Sequence, residues 1–325
     1  MFKGIFHFIT LFLLTSLIVF VISGCNFRVS NNSLSSSRVS SIANCRIIKH
    51  IMGEACVPNN PRRIVSLSAD TLGNILALGA KPIGSANEFL KEGEFYPYFS
   101  EAETQGIKTL GKPEYPNLER LLQLKPDLII GWGGYSPKAI YPLLSKIAPT
   151  VLYNWQDDTW KANFNFVAEV LGKQEVAQSA WKHYEKRIEE LKTALGDSYK
   201  NKKISFIYTY YSGIGSNVKN SFPGSILSDV GLQRPEAQNI VVEPWGSIDF
   251  SEEELEKADG DVLLVAKYND REFLKRLKQR PLWKKLRAVQ QNNVYFVTDS
   301  AWYGQNMTAA GAVIDDLFKY LLNTP

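Results

Sequence analysis

Aromatic residues placed just after apolar, strand-like runs are the residues of this sequence best suited to chemistry. Trp132 and Tyr135 follow the run that ends at Gly131, and Trp155 follows the run that ends at Tyr153. The same placement, after a later run or in a glycine-flanked loop, is shared by Tyr210, Tyr211, Trp245, Trp302 and Tyr303. Core aromatic rings belong on helix and strand faces, whereas rings at strand ends predict a wall for a flat or bulky ligand.

Aromatic contact alone does not account for tight binding. A ring that covers about 80 Å² of ligand contributes about 2 kcal/mol at roughly 25 cal/mol/Å². Four such rings contribute about 8 kcal/mol before association costs, and micromolar binding requires about that much net. Polar anchors are therefore needed. The candidates are Arg234, whose guanidinium can bind carboxylate or hydroxamate oxygens through two nitrogens, Lys267 and the tyrosine hydroxyls, with Lys112 and Arg62 as weaker candidates.

A metal site made of side chains has little support. The sequence has three His, and His7 falls in an apolar N-terminal run, so a three-His zinc or manganese site is excluded by count. A ferric site built from Tyr208, Tyr210 and Tyr211 stays as an alternative. We expect no resident metal or cofactor.

Enzyme signatures are equally scarce. The segment 134–138, Gly-Tyr-Ser-Pro-Lys, fails the Gly-x-Ser-x-Gly pattern, and no Walker A motif occurs. Carboxylate pairs abound without an isolated apolar setting, so a glycosidase stays open. We therefore expect a binding protein rather than an enzyme, with an exported hydrolase as the alternative from another class.

The elements that must position these residues follow a regular pattern. From residue 61 onward, short β-branched runs alternate with helical stretches, as in parallel sheets covered by helices. A long helix over 173–196, about 35 Å at 1.5 Å per residue, interrupts the alternation. The sequence predicts an α/β protein with two lobes of mostly parallel sheet and flanking helices, joined by one long α-helix. The lobes cover 44–172 and 197–325. Ligands of such sheets lie beyond the carboxyl ends of the strands.

The N-terminal region predicts export and anchoring. Residues 1–24 have a basic start and an apolar core closed by small residues, as signal peptides do. Cys25 follows Ser-Gly and resembles the lipobox of bacterial lipoproteins, in which the cysteine carries a diacylglycerol thioether. An uncleaved membrane anchor is the alternative. Residues 25–43 are rich in Ser and Asn and predict a flexible tether. The globular part is therefore expected at the outer face of the cytoplasmic membrane.

The two other cysteines, Cys45 and Cys56, have ten residues between them. In an oxidising compartment two such thiols are expected to pair. The chain-entropy picture gives a loop of that size roughly 2–3 kcal/mol of stabilisation. Two free thiols are the alternative.

Several segments resemble iron-siderophore substrate-binding proteins of ABC importers. They are PRRIVSL (61–67), ALGAKPIG (77–84), PNLERLL (116–122), KPDLIIG (125–131) and KIAPTV (146–151), followed by LW (282–283), AV (288–289) and NVY (293–295). Their order and spacing extend over about residues 44–322. The resemblance implies a monomer with a rigid helical hinge that binds a ferric siderophore between its lobes and delivers it to a membrane permease and its ATPase. Haem or a corrinoid would be alternative cargo.

The resemblance also implies acidic docking residues in the first helix of each lobe, paired with permease arginines. The usual glutamate is missing from the first helix here, and Asp70 is the nearest acid; Asp229 is the candidate in the second lobe. Nucleic acid is not an expected partner, because 37 Lys+Arg against 33 Asp+Glu leave a net charge of only +4.

Overall fold

The computed structural model describes residues 45–87, 94–154, 159–210, 213–244, 246–267 and 271–322. The predicted signal peptide, Cys25 and the tether lie outside the described residues. None of the helices within these ranges combines the length and hydropathy of a membrane-spanning helix.

The described chain begins with an antiparallel hairpin of two strands, β1 (Cys45–His50) and β2 (Gly53–Pro58). A disulfide joins Cys45 and Cys56, whose Cα atoms are 5.5 Å apart. Just beyond β1, the Ile51 N–H donates a hydrogen bond to the Leu152 carbonyl of the first sheet. The hairpin thereby covers the edge of that sheet, which would otherwise expose unpaired backbone groups.

The first sheet is parallel throughout. Its elements along the chain are β3 (Ile64–Ser66), α1 (Ala69–Ala77), β4 (Gly84–Ser85), α2 (Glu101–Thr104), β5 (Lys108–Thr109), the small hairpin β6 (Gly111–Lys112) and β7 (Tyr115–Pro116), α3 (Leu118–Leu124), β8 (Leu128–Trp132), α4 (Tyr135–Ile147), β9 (Thr150–Tyr153) and α5 (Trp160–Leu171). The strand order is β5-β4-β3-β8-β9. Ser68, Asn117 and Thr159 start α1, α3 and α5, and each side chain accepts the backbone N–H three residues on.

A single helix, α6 (Gln174–Leu195), leads to the second sheet. Tyr184, Ile188 and Leu191 are buried along one face of this helix, which is the periodicity that predicts it. At 1.5 Å per residue its 22 residues are about 33 Å long.

The second sheet is mixed, with strand order β12-β11-β10-β13-β14. Its elements are β10 (Ile204–Tyr210), β11 (Gly213–Asn217), α7 (Phe222–Asp229), β12 (Ser247–Phe250), β13 (Val262–Lys267), α8 (Arg271–Leu277), α9 (Pro281–Lys285), α10 (Arg287–Gln290), β14 (Val294–Val297), α11 (Asp299–Trp302) and α12 (Met307–Leu322). Strands β10, β13 and β14 are parallel, whereas β11 and β12 are antiparallel. The predicted fold of two mostly parallel sheets joined by one long helix is confirmed.

The two sheets share one apolar core, which the sequence did not indicate. The core runs from Ile130 of β8 to Leu264 of β13 and includes residues of α1, α6 and α12. Val313, Ile314 and Leu317 of α12 have no exposed surface, and α12 packs on both α1 and α6. The chain passes between the sheets once, through α6, yet helix α12 joins them a second time by packing.

A polar junction fixes the start of α12 on α1. The Asn74 side-chain oxygen accepts from the Met307 N–H at 3.0 Å, and the Thr308 hydroxyl donates to the Gly73 carbonyl at 3.0 Å. A Cβ atom added to Gly73 would lie 2.1 Å from Oδ1 of the fully buried Asn306. Glycine at position 73 is therefore required by the close approach of the two helices.

We predict that Gly73→Ala lowers the free energy of unfolding by about 1–3 kcal/mol, as overpacking of a core does. In an unobstructed helix the same substitution stabilises by up to about 1 kcal/mol. Gly311→Ala in α12 is the matched control, because a Cβ there would meet no atom within 4 Å. Urea unfolding of both variants measures the difference. Equal stabilisation by both substitutions would show that the junction is loose.

Candidate functional site

Three tyrosine rings form a continuous aromatic surface on the second sheet. Tyr208 and Tyr210 lie on the same face of β10 because they are two residues apart, and their ring centroids are 5.9 Å apart. The Tyr303 ring meets Tyr208 edge-on at 5.5 Å. Tyr210 is the last residue of β10, so this surface lies at the carboxyl end of the sheet, where ligands of α/β sheets bind.

Two glycines of β11 allow this arrangement. A Cβ atom on Gly213 would lie 2.6 Å from Cζ of Tyr210, and one on Gly215 would lie 2.1 Å from Cζ of Tyr208. Both rings therefore cross β11 directly over its backbone. No other residue type at these two positions would leave room for the rings.

The tyrosine hydroxyls reach the next strand, β12. The Tyr208 hydroxyl approaches Ser247, and the Tyr210 hydroxyl approaches the Asp249 carboxylate. Burial, with the negative charge of Asp249 as a second cause, raises the pKa of Tyr208 to about 12. Burial and Asp249 also raise the pKa of Tyr210. In the metal-free protein both phenols are therefore neutral at neutral pH.

Two tyrosines from the first half of the chain, Tyr96 and Tyr98, lie near the segment that follows Tyr303. The Asn306 side-chain amide donates to the Tyr98 hydroxyl at 3.2 Å. Tyr98 in turn stacks on Tyr96 with ring centroids 5.7 Å apart. The tyrosine surface of the second sheet and these rings are thus connected through residues 303–306.

Trp132 lies where the sequence predicts it, at the carboxyl end of β8 in the first sheet. It is half-buried, and its ring packs on Gly134, where a Cβ atom would lie 2.4 Å from the indole. Its main chain pairs with Tyr153, the last residue of β9. Trp132 thus occupies in the first sheet the position that the tyrosines occupy in the second.

Other predicted contact residues lie outside the described residues: Trp155, Tyr211 and Trp245, together with the side chains of Tyr135 and Lys267. Their assignment to the site stays a prediction.

The structure corrects the expectation that Trp302 lines a ligand wall. Its ring has no exposed surface and stacks on Phe206 with centroids 4.9 Å apart. The indole N–H donates to the Asp316 carboxylate at 2.8 Å. The short helix α11 turns this side chain into the core, whereas the next residue, Tyr303, faces the tyrosine surface.

Arg234 is also placed differently from the expectation that it anchors a ligand. It is 5% exposed, and Nη2 donates to Gln238 at 2.8 Å. Gln238 in turn accepts from the Phe206 N–H and donates to the Ser205 hydroxyl. The guanidinium therefore lies towards the amino end of β10, roughly 13 Å along the strand from Tyr210 at about 3.3 Å per residue. Burial lowers the pKa of Arg234 to about 9. Nε and Nη1 have no hydrogen-bond partner among the described residues.

The two predicted docking acids differ in their surroundings. Asp70 is half-buried in the first turn of α1, and its docking role stays a prediction. Asp229 is occupied: its Oδ2 accepts from Lys161 Nζ and from the Tyr184 hydroxyl, both at 2.6 Å. Because Lys161 belongs to α5 and Asp229 to α7, this carboxylate links the two lobes, and its docking role stays a prediction.

Sequence reasoning missed Asp249, Ser247 and Tyr98, and considered Tyr208 only as an iron ligand. The alternation of Phe206, Tyr208 and Tyr210 is a signal that was available, since it places three rings on one strand face. The spaced glycines 213 and 215 are a second signal. No sequence signal pointed to Asp249 and Ser247, because their proximity to the tyrosines depends on strand register.

Comparison with known proteins agrees with this architecture. Residues 64–301 match the family model described as a periplasmic binding protein, and the chain belongs to that family. It is 35% identical over 318 residues to the probable siderophore-binding lipoprotein YfiY of Bacillus subtilis, which covers 94% of this chain and 95% of YfiY. It is 26% identical over 277 residues to the Fe(3+) dicitrate-binding periplasmic protein FecB of Escherichia coli, covering 84% and 89% of the two chains.

Solved structures give the same result. The crystal structure of Staphylococcus aureus SirA complexed with staphyloferrin B matches with a TM-score of 0.72 and 26% identity, over 85% of this chain and 98% of SirA. The resemblance to iron-siderophore binding proteins is thereby confirmed at the level of family and fold.

We predict that Trp302→Ala lowers the free energy of unfolding by about 3–5 kcal/mol, because it leaves a large cavity beside Phe206. Trp302→Phe keeps the stacked ring and should cost less than half as much. Thermal and urea unfolding measure both variants. A Trp302→Ala protein as stable as the parent would place this ring outside the core.

We predict that Arg234→Met stabilises the protein by about 1 kcal/mol or more, because it removes a buried charge that has no counter-ion among the described residues. Arg234→Ala, which leaves a cavity, is the control and should destabilise. Urea unfolding measures both. Loss of stability in Arg234→Met would mean that the charge is compensated.

Proposed function

We propose that this protein is the substrate-binding lipoprotein of an ABC importer and that it binds a ferric siderophore for iron uptake. Membership of the periplasmic binding protein family supports a binding role rather than an enzymatic one. YfiY, at 35% identity, is named a probable siderophore-binding lipoprotein, and SirA binds staphyloferrin B. The observation that carries the proposal is the surface of protonated tyrosines at the carboxyl end of the second sheet.

Such a surface suits a metal that arrives already chelated. A siderophore satisfies the coordination of its iron, so the protein has to hold an organic chelate and needs no metal ligand of its own. The rings of Tyr208, Tyr210 and Tyr303 supply apolar contact area, and the hydroxyls of Tyr208 and Tyr210 supply neutral hydrogen-bonding groups. Iron is then cargo, and the protein has no resident cofactor.

Cargo capture should involve a modest rocking of the lobes. The shared core and the α1–α12 junction hold the sheets together. Large hinge opening would expose that core, so closure is of limited amplitude.

The proposal extends to the membrane anchor, which lies outside the described residues, and to the protein's partners. Cys25 carries the lipid, residues 25–43 form the tether, and the folded part stands at the outer face of the cytoplasmic membrane as a monomer. It delivers cargo to a permease and its ATPase. Asp70 is the proposed docking acid of the first lobe.

The direct test is a tryptophan-fluorescence titration of residues 26–325 with ferric hydroxamate, citrate and catecholate siderophores, haem and cobalamin. We expect quenching with a Kd in the micromolar range or below for at least one ferric siderophore. Quenching by haem or cobalamin alone would move the cargo to that class. No quenching by any of them, with substrate turnover instead, would favour the exported hydrolase.

Variants locate the site. Tyr208→Ala should weaken binding at least tenfold, and Gly215→Ala should act in the same direction because its Cβ displaces the Tyr208 ring. Arg234→Met and Gly311→Ala are the controls and should stay within twofold of the parent. If Gly215→Ala also binds like the parent, the cargo does not rest on Tyr208.

A further inference from the structure

One carboxylate stands beside the tyrosine surface. In the strand register Tyr208 faces Gly215, and Gly215 faces Asp249, so these three residues form one row on one face of the sheet. The middle position of the row is a glycine and carries no side chain. The negative charge of Asp249 also raises the pKa of both Tyr208 and Tyr210. Asp249 therefore lies close enough to the rings to influence what binds on them.

Within the described part of the chain, no ion pair neutralises this charge. Asp249 is exposed, and none of the ion pairs of the described residues includes it. A carboxylate near a binding surface stabilises cations and destabilises anions that settle there. At an effective dielectric constant of roughly 20 and a separation of about 10 Å, one unit of ligand charge changes the affinity by roughly tenfold.

We propose that Asp249 is a specificity-determining residue that makes the site select ferric siderophores without net negative charge. Neutral or cationic ferric trihydroxamates are the class that fits, because they offer apolar surface and amide oxygens to the tyrosines. Carboxylate-rich, multiply anionic ferric complexes are rejected by repulsion, which is how sites commonly gain specificity. The inference rests on the proposed function and names its cargo class.

The test compares three probes of different charge on the full chain in detergent: cationic ferrioxamine B, neutral ferrichrome and anionic ferric dicitrate. The parent protein should bind the two trihydroxamates at least tenfold more tightly than ferric dicitrate. Asp249→Asn keeps the size and shape of the side chain and removes the charge. It should tighten ferric dicitrate binding about tenfold, weaken ferrioxamine B and leave ferrichrome within twofold.

Two further measurements keep the outcome clear. Glu169→Gln, which removes an exposed carboxylate from α5 in the other lobe, should leave the ratio of affinities unchanged. Raising the salt concentration from 50 to 500 mM should bring the parent's affinities for the trihydroxamates and for ferric dicitrate closer together, because salt screens the charge of Asp249. The ratio of these affinities should not change for Asp249→Asn. If the probes bind but Asp249→Asn preserves their ratio, the charge-selection proposal is wrong. If no ferric siderophore binds either protein, the proposed function itself fails.

Discussion

The apolar core that runs beneath both sheets is the constraint on which the rest of the molecule depends. Val313, Ile314 and Leu317 of α12 are fully buried in it, and each is worth about 1.5–3 kcal/mol relative to an exposed side chain. A typical domain has only about 5–15 kcal/mol of net stability. Exposing these three residues by swinging the lobes apart would cost about 4.5–9 kcal/mol, a large share of that stability. The lobes are therefore parts of one cooperative structure, and their relative movement is confined to what the core allows.

Within that frame, the binding surface depends on backbone spacing more than on the tyrosines themselves. Tyr208 and Tyr210 can lie flat across β11 only because positions 213 and 215 lack a Cβ atom. Their hydroxyls then reach Ser247 and Asp249 on β12. The result is a surface that is aromatic in its middle, uncharged in its hydrogen-bonding groups and negative at one edge. In the proposed function, the rings hold a bulky chelate through contact area, and Asp249 makes the affinity depend on the charge of that chelate.

The sequence predicted the periodic features and missed those that depend on tertiary contacts. The predictions of alternating strands and helices and of the long helix were correct, because the local spacing of apolar residues determines both. Trp132 and Tyr210 lie at strand ends as predicted. Trp302 and Tyr303 are adjacent in sequence, and only the turn of α11 decides which of them is buried. Asp249 lies on an edge strand whose register with β11 has no local signal, and Asp229 is occupied by Lys161, 68 residues away.

Two contacts between the lobes differ in strength, and this difference indicates where the pivot of the proposed lobe movement lies. The Lys161–Asp229 pair is 37% and 29% exposed, and exposed ion pairs contribute only about 0–1 kcal/mol. It lines a groove of about 640 Å³ between α5, α6 and α7, so its side chains have room to move. The Gly73–Asn306 junction is fully buried and has no spare volume. Rotation that lengthens the ion pair costs little, whereas rotation that opens the junction costs packing and buried hydrogen bonds. The lobes should therefore rock about the α1–α12 junction, with the Lys161–Asp229 pair adjusting to the movement.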